Sequence, residues 1–93
     1  MSADDLEARF QAAAASVKTF VASKPVPNEA KLAVYGLFKQ ATGGDVTTAR
    51  PGGFLNFEAN AKWDAHAALR GVPPAEAKAR YIEEVARQQR EFA

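Results

Sequence analysis

Three clusters of helix breakers divide this chain, and the pattern they leave constrains it to a small helical bundle. Lys24-Pro25-Val26-Pro27, Gly43-Gly44 and Gly71-Val72-Pro73-Pro74 each interrupt stretches in which apolar residues recur at helical spacing. The first helix is predicted from about Asp4 to Val21, with Leu6, Phe10, Ala13 and Val17 on one stripe. Asp4, Asp5 and Glu7 crowd its start, where the helix dipole favours negative charge. The second is predicted to open with Asn28 as its N-cap and to stop at Gly43-Gly44, residues that accept the left-handed geometry of a helix end. The third runs from Asn56 as N-cap to about Arg70, with Gly71 as its stop. The fourth begins at Pro73-Pro74, because proline suits a first helical position, and carries Ala77, Tyr81 and Val85 on one stripe with Ile82 alongside. Gly43 to Leu55 shows no stripe at all. A connection that long is uncommon in a compact domain and is often functional, and it can join two helices that lie parallel.

With 93 residues the chain is expected to form one domain, 1–93, with a modest core. It has no cysteine, which excludes disulfides and thiolate metal sites. A net charge of +1 supplies no global field for nucleic acid or an anionic membrane, so an anion site must be a local cluster of cations. The acidic start lacks the basic and apolar regions of a secretory signal, and no stretch approaches the roughly twenty apolar residues of a membrane span. The expectation is a soluble, cytoplasmic protein.

Catalytic groups are sparse. The single histidine, His66, reads as a partly packed surface residue. The serines lie in no nucleophile motif, and neither a metal-spaced histidine pair nor a glycine-rich phosphate loop is present. No catalytic residue, metal or cofactor is therefore assigned. The informative cluster is Tyr35, Phe38 and Lys39, at i, i+3 and i+4 of the second helix. By spacing alone, two aromatic residues at these positions are more often core than ligand platform. The neighbouring lysine adds a second possibility, a patch of hydroxyl, π-face and ammonium suited to a phosphorylated aromatic ligand.

Lys39-Gln40-Ala41-Thr42-Gly43-Gly44-Asp45, then Arg50-Pro51-Gly52, then Ala61-Lys62-Trp63-Asp64-Ala65 form a long ordered pattern. It resembles the acyl-CoA-binding protein family, and the resemblance extends from about Leu6 to about Phe92. The resemblance implies an all-α, four-helix bundle, up-down-down-up, with a long overhand loop between the second and third helices. It implies a monomeric, non-enzymatic carrier of medium- to long-chain fatty acyl-CoA, with acyl-CoA-using enzymes as partners. Tyr35 and Lys39 would then meet the 3′-phosphate and Phe38 the adenine ring, at a position where well-known members carry tyrosine. Lys62 would bind phosphate, Lys18 would lie near the phosphates, and Tyr81 would touch the ligand or belong to the core. Ala13 and Leu32 would be walls of the ligand site. Trp63 would belong to the core, and His66 stands where a second tryptophan is common. Arg50 and the two glycines after Pro51 read as structural, with Arg50 solvated. The competing reading is a helical protein-interaction module that keeps the fold without the ligand.

Overall fold

The computed structural model describes residues 2–93, and these form four helices: α1 (Ala3–Thr19), α2 (Asn28–Gly43), α3 (Phe57–Ala67) and α4 (Pro74–Glu91). No strand occurs among the described residues. Helix α4 is central: it packs against α1 on one side and α2 on the other, and α3 packs on α2.

Side-chain bonds fix the helix directions. Lys78 pairs with Glu7 at 2.6 Å near the starts of α4 and α1, and Gln89 Nε2 donates to Ser16 Oγ near their ends, so these two helices run parallel. Gln40 Nε2, late in α2, donates to the Val72 carbonyl just before α4, while Gln88 Nε2, late in α4, donates to the Ala30 carbonyl early in α2. Those two are antiparallel. The start of α3 shares a cleft with the start of α2, and His66 reaches Gly44 at their far ends, so α2 and α3 are parallel. The order is up-down-down-up, which the long segment between α2 and α3 makes possible.

Phe10, Leu37, Ala41, Ala77, Tyr81 and Val85 form the buried core, drawn from α1, α2 and α4. Phe10 is 1% exposed and sits edge-on to Tyr81, with ring centroids 5.0 Å apart.

Helix boundaries shift where tertiary contacts or backbone chemistry override local preference. Ser2 caps α1 by accepting from the Asp5 amide. The helix ends at Thr19, short of Val21, because Phe20 turns extended and its ring joins Val34, Val85 and Phe92 around an apolar cavity. Pro27, not Asn28, occupies the N-cap of α2: its carbonyl accepts from the Ala30 and Lys31 amides, and Asn28 is the first helical residue. Helix α3 stops at Ala67 instead of Arg70. Beyond it the chain tightens into three-residue turns, Leu69 to His66 and Arg70 to Ala67, before Gly71 at φ 90°.

Gly36 sets the distance between α2 and α3. A Cβ there would stand 2.7 Å from the Ala65 carbonyl oxygen, a backbone atom that cannot swing aside. Alanine would gain about 0.5–1 kcal/mol from helix preference. It would lose about 1–3 kcal/mol by forcing the helices apart. Gly36→Ala is thus expected to lower the thermal midpoint despite its better helix propensity. An unchanged or raised midpoint would contradict this close approach.

Candidate functional site

The segment between α2 and α3 is fastened along its length. Arg50 grips Asp64 through two bonds, Nε to Oδ1 at 2.9 Å and Nη2 to Oδ2 at 3.0 Å. Arg50 is therefore paired rather than simply solvated, because α3 brings a carboxylate into fork geometry with it. Asn60, buried on α3, accepts from the Gly52 amide at 2.8 Å and donates to the Gly53 carbonyl at 3.1 Å. Gly52 and Gly53 both have positive φ, 73° and 77°, which this turn requires. The Trp63 indole N–H donates to the Thr48 carbonyl at 2.9 Å. Trp63 is half-buried and lines a cleft, so the expected core position is corrected: its N–H needs a partner, and the loop supplies one outside the core.

His66 is also corrected. It is buried, and Nε2 lies 2.7 Å from the Gly44 carbonyl oxygen. A carbonyl only accepts, so Nε2 carries the proton and locks α3 to the end of α2. Asp45 closes the same corner. Its Oδ1 accepts from the Gly71 amide and from Gln40 Nε2, both at 2.8 Å, and these bonds, the Gly71 amide foremost, hold its pKa below the usual carboxylate value. The bond from Arg50 lowers Asp64 likewise, and the bond from Arg87 lowers Glu84. Carboxylates with depressed folded-state pKa values contribute stability above their unfolded pKa and lose it as pH falls through the folded value. The fold should hold its stability from neutrality down to about pH 4 and lose it below that, as followed by thermal denaturation across pH. A midpoint independent of pH between about 5 and 2 would contradict these pairings.

Two clefts open between α2, α3 and the segment joining them, and they share Tyr35 and Lys62. One, of about 420 Å³, is lined by Tyr35, Lys39, Thr47, Thr48, Lys62 and Trp63 among others. The other, of about 550 Å³, adds Lys31, Leu32, Phe57 and Ala61. Together they make a trough of mixed lining, in which Lys31, Lys39 and Lys62 are interspersed with the apolar Leu32, Ala61 and Phe57. Tyr35 and Lys62 belong to both clefts, the ammonium 5.5 Å from the ring centroid. Lys62 is also 3.1 Å from Glu58, its neighbour one turn earlier, so an anion arriving here competes with a carboxylate.

The eight residues singled out by sequence fall into separate groups. Tyr35, Lys39, Lys62 and Leu32 line the trough. Phe38 does not. Its ring stacks on Phe10 at 5.7 Å and leans on Tyr81 at 5.9 Å, facing α1 and α4. The ring is still 38% exposed, which leaves it an accessible surface. Tyr81 is 2% exposed and belongs to the core; burial raises its pKa, which favours the neutral phenol. Ala13 packs against the same core. Lys18 is exposed on the last turn of α1 and lines neither cleft. Sequence reasoning passed over Lys31, Phe57 and Glu58 as trough residues. Only Glu58 left a readable signal, its i, i+4 spacing to Lys62. No group of three or more histidine and carboxylate side chains among the described residues is placed to hold a metal, and no helix among them is long and apolar enough to cross a membrane.

The family model described as acyl CoA binding protein matches residues 7–85. An acyl-CoA-binding domain-containing protein 1 of Oryza sativa subsp. japonica is 48% identical over 80 residues, covering 86% of this chain and 85% of the relative. Acyl-CoA-binding domain-containing protein 3 of the same plant is 47% identical over 88 residues, 95% of this chain, but this chain spans only 55% of that relative's length. The crystal structure of Oryza sativa acyl-CoA-binding protein 2 superposes with a TM-score of 0.83 at 44% identity, covering 92% of each chain. With a family match over most of its length and the same four-helix fold, this chain belongs to the acyl-CoA-binding protein family.

Proposed function

We propose that this protein binds medium- to long-chain fatty acyl-CoA in the trough between α2 and α3 and acts as a monomeric cytoplasmic carrier. It would deliver the thioester to acyl-CoA-using enzymes without turning it over. The observation that carries the reading is the mixed lining of the trough, where Lys39 and Lys62 stand beside the apolar side chains Leu32, Ala61 and Phe57. An acyl-CoA has the matching polarity: an apolar chain joined to a strongly anionic nucleotide. Lys39 and Lys62 serve the phosphates as charged donors. Tyr35 offers its hydroxyl, and the accessible surface of Phe38 offers a stacking partner for adenine, a contact worth roughly 1–3 kcal/mol. Lys18 adds a peripheral cation. Tyr81 and Ala13 act through the core behind Phe38.

Titration with palmitoyl-CoA, followed by recovery of the ligand, tests this. Stoichiometric binding with the thioester intact is expected; hydrolysis of the bound ligand would contradict the carrier role. Lys39→Ala and Lys62→Ala should each cost roughly 1.5–3 kcal/mol, about ten- to a hundredfold in affinity, and flatten its salt dependence. The helix content should stay unchanged, since both side chains lie outside the core. An unaltered affinity in Lys62→Ala would remove that lysine from the site.

A further inference from the structure

Three large apolar side chains stand almost bare beside the trough: Phe54 is 78% exposed, Leu55 79% and Phe57 72%. Apolar surface left in water contributes nothing to folding, and where it is grouped it marks an interaction site, so its setting matters. The turn presenting it is not slack. Gly52 and Gly53 adopt left-handed backbone, Asn60 bonds to both, and the Asn56 amide donates to the Gly53 carbonyl at 3.4 Å. The side chains are held outward by a buttressed turn, and Phe57 also lines the trough.

We propose that Phe54, Leu55 and Phe57 form a tip that docks transiently into the surface of a lipid bilayer. The acyl-CoA reading supplies its purpose: an acyl chain partitions into bilayers, and the tip would bring the apolar side chains of the trough, Phe57 among them, to the place where that chain resides. Size favours lipid over a protein partner. Three such side chains can bury at most roughly 600 Å², below the roughly 800 Å² per partner of a standard protein interface. Insertion into an interface needs only a small projecting apolar group. Of the nearby charges Arg50 pairs with Asp64 and Lys62 with Glu58, which leaves Lys31 as a single cation in the cleft that Phe57 lines, so docking is chiefly apolar in origin and does not require anionic lipid.

The test uses phosphatidylcholine vesicles and Phe54→Ser/Leu55→Ser, which leaves the residues lining the trough untouched. Ligand-free wild-type protein should float with vesicles in lipid excess, equally at low and high salt. The double variant should partition about tenfold less while keeping the solution affinity for palmitoyl-CoA. Wild type should also take palmitoyl-CoA from vesicles at a rate that rises with vesicle concentration, and the variant should be slower. Absence of wild-type flotation, or equal flotation of the two proteins, overturns the proposal. So does a wild-type dimer that the substitutions convert to monomer, since the patch would then be a self-association surface. Flotation without any solution affinity for palmitoyl-CoA would remove the carrier reading and leave the docking tip standing.

Discussion

Phe10→Ala is expected to be the most damaging single substitution in the bundle. Phe10 is the ring on which three helices converge: it is 1% exposed, stacks on Phe38 of α2, meets Tyr81 of α4 edge-on, and carries the Lys78 ammonium 5.8 Å from its centroid. Truncating a buried phenylalanine costs about 3–5 kcal/mol, from lost transfer free energy and the cavity left behind. A domain of this size is only marginally stable, of order 5–10 kcal/mol in all. At roughly 4–8 °C per kcal/mol, the thermal midpoint should fall by something like 15–30 °C. Ligand affinity should fall as well, because Phe38 loses the ring that holds it. Phe38→Ala is the control: its partly exposed ring should cost clearly less stability. Comparable losses in the two variants, or a Phe10→Ala shift of under about 5 °C, would mean that α1 is not anchored through Phe10.

The second large effect lies in the ligand. Each methylene moved from water onto the apolar side chains of the trough contributes about 0.8 kcal/mol at most. Lengthening a saturated acyl chain by four carbons should therefore tighten binding by up to roughly 3 kcal/mol, about two decades, until the wall formed by Leu32, Ala61 and Phe57 is covered. A titration series of acyl-CoA chain lengths should show a rise and then a plateau. Affinity that does not change with chain length would place the acyl chain in solvent and contradict an amphipathic site.

The four helices were legible because they rest on local chemistry, stripes, prolines and glycines; their up-down-down-up order and the parallel pairing of α2 with α3 were legible through the family resemblance, and the long unstriped segment makes that order possible. Tyr35 and Lys39 were legible as neighbours from helical spacing, whereas Lys62, on another helix, was tied to them by the family pattern alone; the fold brings the three to one cleft. Phe38 was only half legible. Its spacing from Tyr35 is the same whether the ring faces ligand or core, and Phe10, nearly thirty residues away, draws it towards α1. His66 read as a surface group because nothing local reveals that the Gly44 carbonyl needs a donor. Trp63 and Arg50 were misplaced for the same reason: their partners, Thr48 and Asp64, are supplied by how the loop folds back on α3. Gly36 carries no signal in the sequence at all. Its importance comes from an oxygen on another helix, 2.7 Å from where its Cβ would be.

The central claim is that one site needs both ends of an acyl-CoA, the chain in the apolar wall and the phosphates at Lys39 and Lys62. Calorimetric titration with palmitoyl-CoA, CoA and palmitate in parallel, below the micelle concentration of the thioester, tests it most directly. Tight one-to-one binding of palmitoyl-CoA, with CoA and palmitate each weaker by orders of magnitude, is the expected result. Palmitate binding as tightly as palmitoyl-CoA, or no binding of any of the three, would contradict the account.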